Sequence, residues 1–173
     1  MLIFLALRLA IYTMRTNPLV TPTSSRGSVV LISSTSGYFG GTSVISYISS
    51  KHGITGLLRA SQRVASQNNI RLNAVAPFFT PTHITASYAE EWAKEGLLAN
   101  TTEDVAWAVA QTAADGTLKG ACCLVAGKMM RELEEPLRGL TRTWVGDDVA
   151  DLMANGGKLF DRLGGYPLPG VRS

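Results

Sequence analysis

Residues 33–51 read S-S-T-S-G-Y-F-G-G-T-S-V-I-S-Y-I-S-S-K, and this stretch decides the fold. It follows Gly27-Ser28 and the apolar run Val29-Val30-Leu31-Ile32, the pattern of a strand buried on both faces. Glycines at 37, 40 and 41 then break the chain into a loop. Beyond the loop the spacing predicts a helix from about Thr42 or Ser43 to Ser66. On it Tyr47 and Lys51 stand four residues apart, one turn along a single face. That places an ammonium beside a phenol whose ordinary pKa is roughly 10, and a nearby positive charge favours the phenolate. A tyrosine so placed can act as a general acid or base near neutral pH. A serine at the end of the preceding strand can hydrogen-bond an oxygen held against it. These are the parts of a carbonyl/alcohol redox site.

At these residues the chain resembles the short-chain dehydrogenase/reductase family. That family ends a strand in a serine and carries Y-x-x-x-K on the following helix. Ser34, thirteen residues before Tyr47, stands at the family's offset; Ser33, Thr35 and Ser36 do not. Lys51-His52-Gly53 after the tyrosine and Ile70-Arg71-Leu72-Asn73-Ala74-Val75-Ala76-Pro77 further on also match the family's pattern. The resemblance implies catalytic roles for Ser34, Tyr47 and Lys51. Ser34 would orient the substrate oxygen, Tyr47 would pass its proton, and Lys51 would also hold the ribose hydroxyls of a NAD or NADP cofactor. Pro77, Thr80 and Thr82 would approach the nicotinamide, with Phe78 standing where the family has glycine. The implied substrate is a small alcohol or ketone. Tyr38, Phe39, Phe78 and Phe79 near the site point to a hydrophobic one.

The likeness runs from the first helix to about Lys128, the later, catalytic half of the family's domain. The family's opening strand, its G-x-x-x-G-x-G turn for the cofactor pyrophosphate and its N-A-G segment have no counterpart in this sequence. The expected fold class is α/β, a partial Rossmann-like parallel sheet with three recognisable strands flanked by helices. Residues 1–128 are expected to form a truncated Rossmann-type domain, and 129–173 a helical extension and tail of the same domain. The strand 29–32 would then keep one edge without a neighbour. The main functional expectation is an NAD(P)-dependent oxidoreductase. The alternative is a fragment that keeps the site, lacks the cofactor seat, and acts through dimerisation or partner binding.

Working outward, Leu2 to Arg15 reads as an amphipathic to largely buried helix ending before Asn17-Pro18. Its apolar start is broken by Arg8 and is too short to span a bilayer, so a core-facing helix is expected rather than a targeting segment. Ser49, Gly53, Gly56 and Ala60 form one small-residue stripe on the Tyr47 helix. Each interior glycine costs about 1 kcal/mol against alanine, so the stripe implies close packing, inside a monomer or in a homodimer. Tyr88 and Trp92 lie at helical spacing. Thr101 is placed to cap a helix with Val105, Ala106, Val109, Ala110 and Ala113 on one face, and Ala121 to Ala126 is a third strand. Pro136 to Trp144 reads as a helix, with a short one around Val149, Leu152 and Met153 before Asn155-Gly156-Gly157. The tail from Gly164 to Gly170 reads as a turn.

Composition sets the class. With 46% hydrophobic and 17% charged residues, the 173-residue chain can bury one core. A net charge of +3 with scattered basic residues argues against a nucleic-acid partner. Cys122 and Cys123 are adjacent and would point to opposite faces of a strand, which disfavours a bridge. His52 and His83 have no evident ligand set, so no metal is expected. The expected setting is reducing and cytoplasmic, without a membrane. Asn100-Thr101-Thr102 is formally a glycosylation sequon, which matters only in a secreted protein.

Overall fold

Strand β1 (Gly27–Ile32) forms where the β-branched run predicts it, and it pairs in parallel with β2 (Ile70–Pro77). The computed structural model describes residues 2–21, 24–41 and 43–166. It divides into two units, Met1–Glu134 and Glu135–Ser173. In the first unit β2 pairs in parallel with β3 (Cys122–Ala126), giving the expected parallel α/β sheet.

A fourth strand, β4 (Met129–Glu132), extends that sheet in the antiparallel direction, in the order β1-β2-β3-β4. Only three strands are expected from the sequence. The fourth follows from the turn Gly127-Lys128, both with positive φ (52° and 71°), the geometry of a two-residue hairpin.

Helices cover both faces of the sheet. On one face lie α1 (Leu2–Met14), α2 (Ile45–Ala60) and α3 (Gln62–Gln67). Their Leu7, Ile11, Ile54, Leu58 and Ala65 pack with Leu31, Leu72 and Ala74. The connection from β2 carries α4 (Ala86–Lys94) and then α5 (Thr102–Ala114). On the opposite face, α5 sets Val105, Ala108 and Val109 against Val30, Val75 and Val125. Thr101 caps α5 as expected, in a reciprocal box with Asp104. The buried line on α5 is Ala108 and Thr112, whereas Ala106 and Ala110 are exposed, so the inward face is rotated from the expected one. Cys122 and Cys123 pack with opposite cores, as strand alternation requires, and are not bridged.

Three further expectations are corrected. The Tyr47 helix begins at Ile45 rather than Thr42 or Ser43: Gly41 and Ser43 have positive φ (102° and 60°), and Thr42 lies outside the described residues. It also breaks at Ser61, where the Gln62 side-chain amide donates to the Leu58 carbonyl. Helix α1 is far less buried than expected, with only Leu7 and Ile11 buried and Leu2, Phe4, Leu5, Leu9 and Tyr12 exposed. Strand β1 is mostly half-buried, because among the described residues it has one neighbouring strand.

The second unit carries most of α6 (Glu134–Gly139), then α7 (Thr141–Val145) and α8 (Asp147–Arg162). Pro136 to Trp144 is therefore two short helices. The short helix expected before Asn155-Gly156-Gly157 is 16 residues long and runs through both glycines. Val149, Leu152, Met153, Leu159 and Phe160 keep helical spacing on both sides of them, and all five stay exposed. Arg142 pairs with Asp147 at 3.0 Å and also with Asp151. Part of the Gly164 to Gly170 turn lies outside the described residues.

Candidate active site

Lys51 ties the site together from the helix side. Its Nζ donates to the Ile32 carbonyl at 3.0 Å, joining α2 to the last residue of β1. The same ammonium lies 5.5 Å from the centroid of the Tyr47 ring, one turn back on α2. Tyr47 stands in the first turn of α2 and is 45% exposed, so its phenol is accessible from solvent.

Ser34 sits two residues beyond Ile32 and is buried. Its Oγ accepts from the Ser36 N–H at 3.1 Å, capping the 3-10 turn Thr35–Gly37, and donates to the Pro77 carbonyl at 3.4 Å. The strand-end serine therefore meets the end of β2. The adjacent Ser33 has a different task, with its Oγ 3.3 Å from the Thr55 hydroxyl on α2. Gly37 presses into the same junction. A Cβ there would lie 2.5 Å from Ser33 Oγ, 2.7 Å from Thr55 Oγ1 and 2.8 Å from the Lys51 carbonyl oxygen. Only glycine lets the loop after Ser34 lie this close to α2.

The segment after β2 is held from within. The Thr80 hydroxyl donates to the Phe78 carbonyl at 3.2 Å and accepts from Asn100 Nδ2 at 3.2 Å. The Thr85 hydroxyl accepts from the Thr82 N–H at 2.8 Å and lies 3.0 Å from the Thr80 carbonyl. Phe79 is buried against Tyr88 and Trp92, at ring separations of 5.4 and 4.3 Å. Phe78 meets Trp92 edge-on at 5.4 Å and stays 45% exposed.

Two positioning groups escape the sequence reading. Asn100, 2% exposed, donates through Nδ2 to the Val125 carbonyl at 2.9 Å, and its Oδ1 accepts from the Gly127 N–H at 2.6 Å. With its bond to Thr80, it pins that segment to the end of β3, and its burial keeps the sequon out of reach. Nothing in its sequence context signals this. The second group is centred on Glu134, whose carboxylate accepts from the Tyr38 hydroxyl at 2.8 Å and from Arg59 Nε and Nη2 at 2.8 and 2.9 Å. Burial, then Cys122 and Glu134, push the Tyr38 phenol well above its ordinary pKa. Burial likewise pushes the Cys122 thiol up to about 12. Tyr38 is thus a tie between the loop after Ser34 and the end of the sheet, not an open lining for substrate.

A cleft of about 570 Å³ lies elsewhere, between α5 and the β3–β4 hairpin, and none of the expected site residues lines it. Among the described residues, no group of three or more His, Cys, Asp or Glu side chains gathers to hold a metal. Among them, too, no helix is long and apolar enough to cross a membrane.

A family model described as short chain dehydrogenase matches residues 3–93, more than half of the chain. The chain belongs to the short-chain dehydrogenase family. Short-chain dehydrogenase reductase 4 of Arabidopsis thaliana is 40% identical over 70 residues, 40% of this chain and 24% of that protein. Among solved structures, 3-hydroxyacyl-CoA dehydrogenase type-2 from Mycobacterium avium matches with a TM-score of 0.62 and 28% identity. That match covers 69% of this chain and 48% of the other. A protein described as a 2-deoxy-d-gluconate 3-dehydrogenase from Agrobacterium tumefaciens, with bound NADP, matches with a TM-score of 0.54 and 30% identity. Here the cover is 61% of this chain and 46% of the other. These short-chain dehydrogenases are oxidoreductases, and the chain spans less than half the length of each.

Proposed function

We propose that the chain carries the proton-transfer half of an NAD(P)-dependent oxidoreductase that interconverts an alcohol and a carbonyl, with Ser34, Tyr47 and Lys51 as its site. The observation that supports this most is the 3.0 Å bond from Lys51 to the Ile32 carbonyl. It fastens the helical face bearing Tyr47 to the strand end two residues before Ser34. In this reading the Ser34 hydroxyl orients the substrate oxygen and Tyr47 delivers or takes its proton. Lys51 keeps its ammonium on the Tyr47 side of the helix, 5.5 Å from the ring centroid. An ammonium has three N–H donors, so two remain beyond Ile32 for the ribose hydroxyls of the cofactor. The nicotinamide, when bound, supplies or accepts the hydride. Pro77, Thr80 and Thr82 would line its carboxamide. The Thr80 hydroxyl is already engaged, so that residue would contribute through its backbone, and Phe78 stands at the position where the family has glycine.

NAD and NADP both remain within this proposal. The exposed rings of Phe39 and Phe78 favour a hydrophobic alcohol or ketone. The unbridged thiols of Cys122 and Cys123 suit a reducing, cytoplasmic setting. The direct test is titration of the purified chain with NADH and with NADPH, followed by fluorescence and thermal shift. Saturable micromolar binding supports the proposal, whereas no binding up to millimolar cofactor in a folded sample sinks it for this chain.

A second reading, assembly without catalysis, is favoured by the small-residue stripe of α2. Ser49, Gly53, Gly56 and Ala60 are exposed, and a Cβ at Gly53 or Gly56 would meet nothing within 4 Å. Packing inside the monomer therefore gives these glycines no purpose, whereas a second α2 laid against them would. Sedimentation equilibrium of the wild type and of Gly56→Glu tests this. A homodimer that dissociates in the variant supports it, and a wild-type monomer sinks it.

A further inference from the structure

At the end of the sheet opposite Ser34, the segments entering β1, β2 and β3 border a small polar cleft of about 50 Å³. Ser24 and Ser25 come from ahead of β1, Ser66 from α3, Asn69 and Arg71 from the start of β2, and Lys119 from ahead of β3. The lining contains two cations and no carboxylate. Lys119 makes no ion pair among the described residues. Outside the lining, the Arg71 guanidinium helps to hold the Asp115 carboxylate below its ordinary pKa, after the Thr117 hydroxyl and N–H, which donate to one of its oxygens at 2.6 and 2.9 Å.

Arg71 itself is 5% exposed. Its Nη1 and Nη2 donate to the carbonyls of Asp115 and Ala113 at 2.7 and 2.6 Å, where α5 ends. The guanidinium has five N–H donors, and its Nε is buried without a partner among the described residues. Buried donors in folded proteins are almost always satisfied, and an ion or water is a standard satisfier. Here two cations and no carboxylate line the cleft beside the orphaned Arg71 Nε, and that favours an anion.

We propose that this cleft binds a small tetrahedral oxoanion, a phosphate ion or a terminal phosphomonoester. Arg71 and Lys119 supply the charge, and the Ser24 and Ser66 hydroxyls supply neutral donors. The volume admits one such group and excludes a planar ring system. In a sheet of this kind, substrates and cofactors bind outside the carboxyl ends of the strands. The cleft lies one strand length away, roughly 20 Å at 3.3 Å per residue, so it is separate from the redox site.

The test is calorimetric and thermal-shift titration of the full chain with inorganic phosphate and with glycerol phosphate, at constant ionic strength set by chloride. Saturable binding is expected, and Lys119→Gln, an exposed change that leaves the melting temperature without phosphate unaltered, should weaken it roughly tenfold. Tighter binding of glycerol phosphate would identify a phosphomonoester, and tighter binding of inorganic phosphate the free ion. Phosphate and chloride acting alike would overturn the proposal. So would binding that survives Lys119→Gln and is lost in Lys51→Met, which would place the anion at the redox site.

Discussion

Val29 on β1 and Leu72 on β2 are direct register partners, yet one is half-buried and the other 1% exposed. The two strands read alike as apolar segments. Strand β2 is hydrogen-bonded on both sides, by β1 and β3, and seven of its eight residues are buried. Strand β1 is bonded by β2 alone among the described residues, and only Leu31 is buried. An apolar run makes a strand, but burial depends on what lies at its two edges. An open apolar edge of this kind is a template for pairing with another strand.

Substitution at the two partners tests this contrast most strongly. Leu72→Ala should cost about 3 kcal/mol in denaturant unfolding, and Val29→Ala about 1 kcal/mol. Equal losses would mean that β1 is covered in solution by something else. A smaller effect is expected where β1 hands over to the site. Gly37→Ala should cost about 2 kcal/mol, because the new methyl meets the Lys51 backbone carbonyl, which cannot rotate away. A neutral result would show that the loop after Ser34 is not pressed on α2. Far from β1, Thr101→Ala should cost about 1 kcal/mol as a lost helix cap, measured as a lowered melting temperature.

The weakest expected effect is acid-dependent. The Asp104 carboxylate is held below its ordinary pKa, first by the Thr101 backbone N–H and then by its side chain. Its contribution is therefore complete above the ordinary Asp range near pH 4 and fades as pH falls through the lower folded-state value. Asp104→Asn should be less stable than the wild type at neutral pH and equal to it in strong acid. A difference that persists unchanged at low pH would assign the cap to shape rather than charge.

The parallel core was legible because β-branched runs, proline stops and the Ser34–Tyr47–Lys51 spacing are local signals. Elements depending on distant partners were not. Strand β4 is spelled Met-Met-Arg-Glu, with no β-branched residue, and exists because Gly127-Lys128 turns it back onto β3. Gly156-Gly157 reads in the sequence as a stop, yet α8 runs from Asp147 to Arg162 through both. Tyr38 stands in the sequence among the rings that point to a hydrophobic substrate, but its hydroxyl reaches Glu134, 96 positions along the chain. Asn100 stands in the sequence only as part of a formal sequon, and its role depends on carbonyl and amide groups that only the folded chain assembles. The motif marks the residues proposed to react, while Asn100 and Glu134, which hold the neighbouring segments in place, lie outside it.

The most direct measurement is the reduction of a hydrophobic ketone by wild type and Tyr47→Phe, side by side, with saturating NADH or NADPH and both samples shown to be folded. Removing the proton donor while keeping the ring should slow turnover about 100-fold or more. Equal rates in the two proteins, or no turnover by the folded wild type with cofactor bound, would contradict a Tyr47-centred redox site.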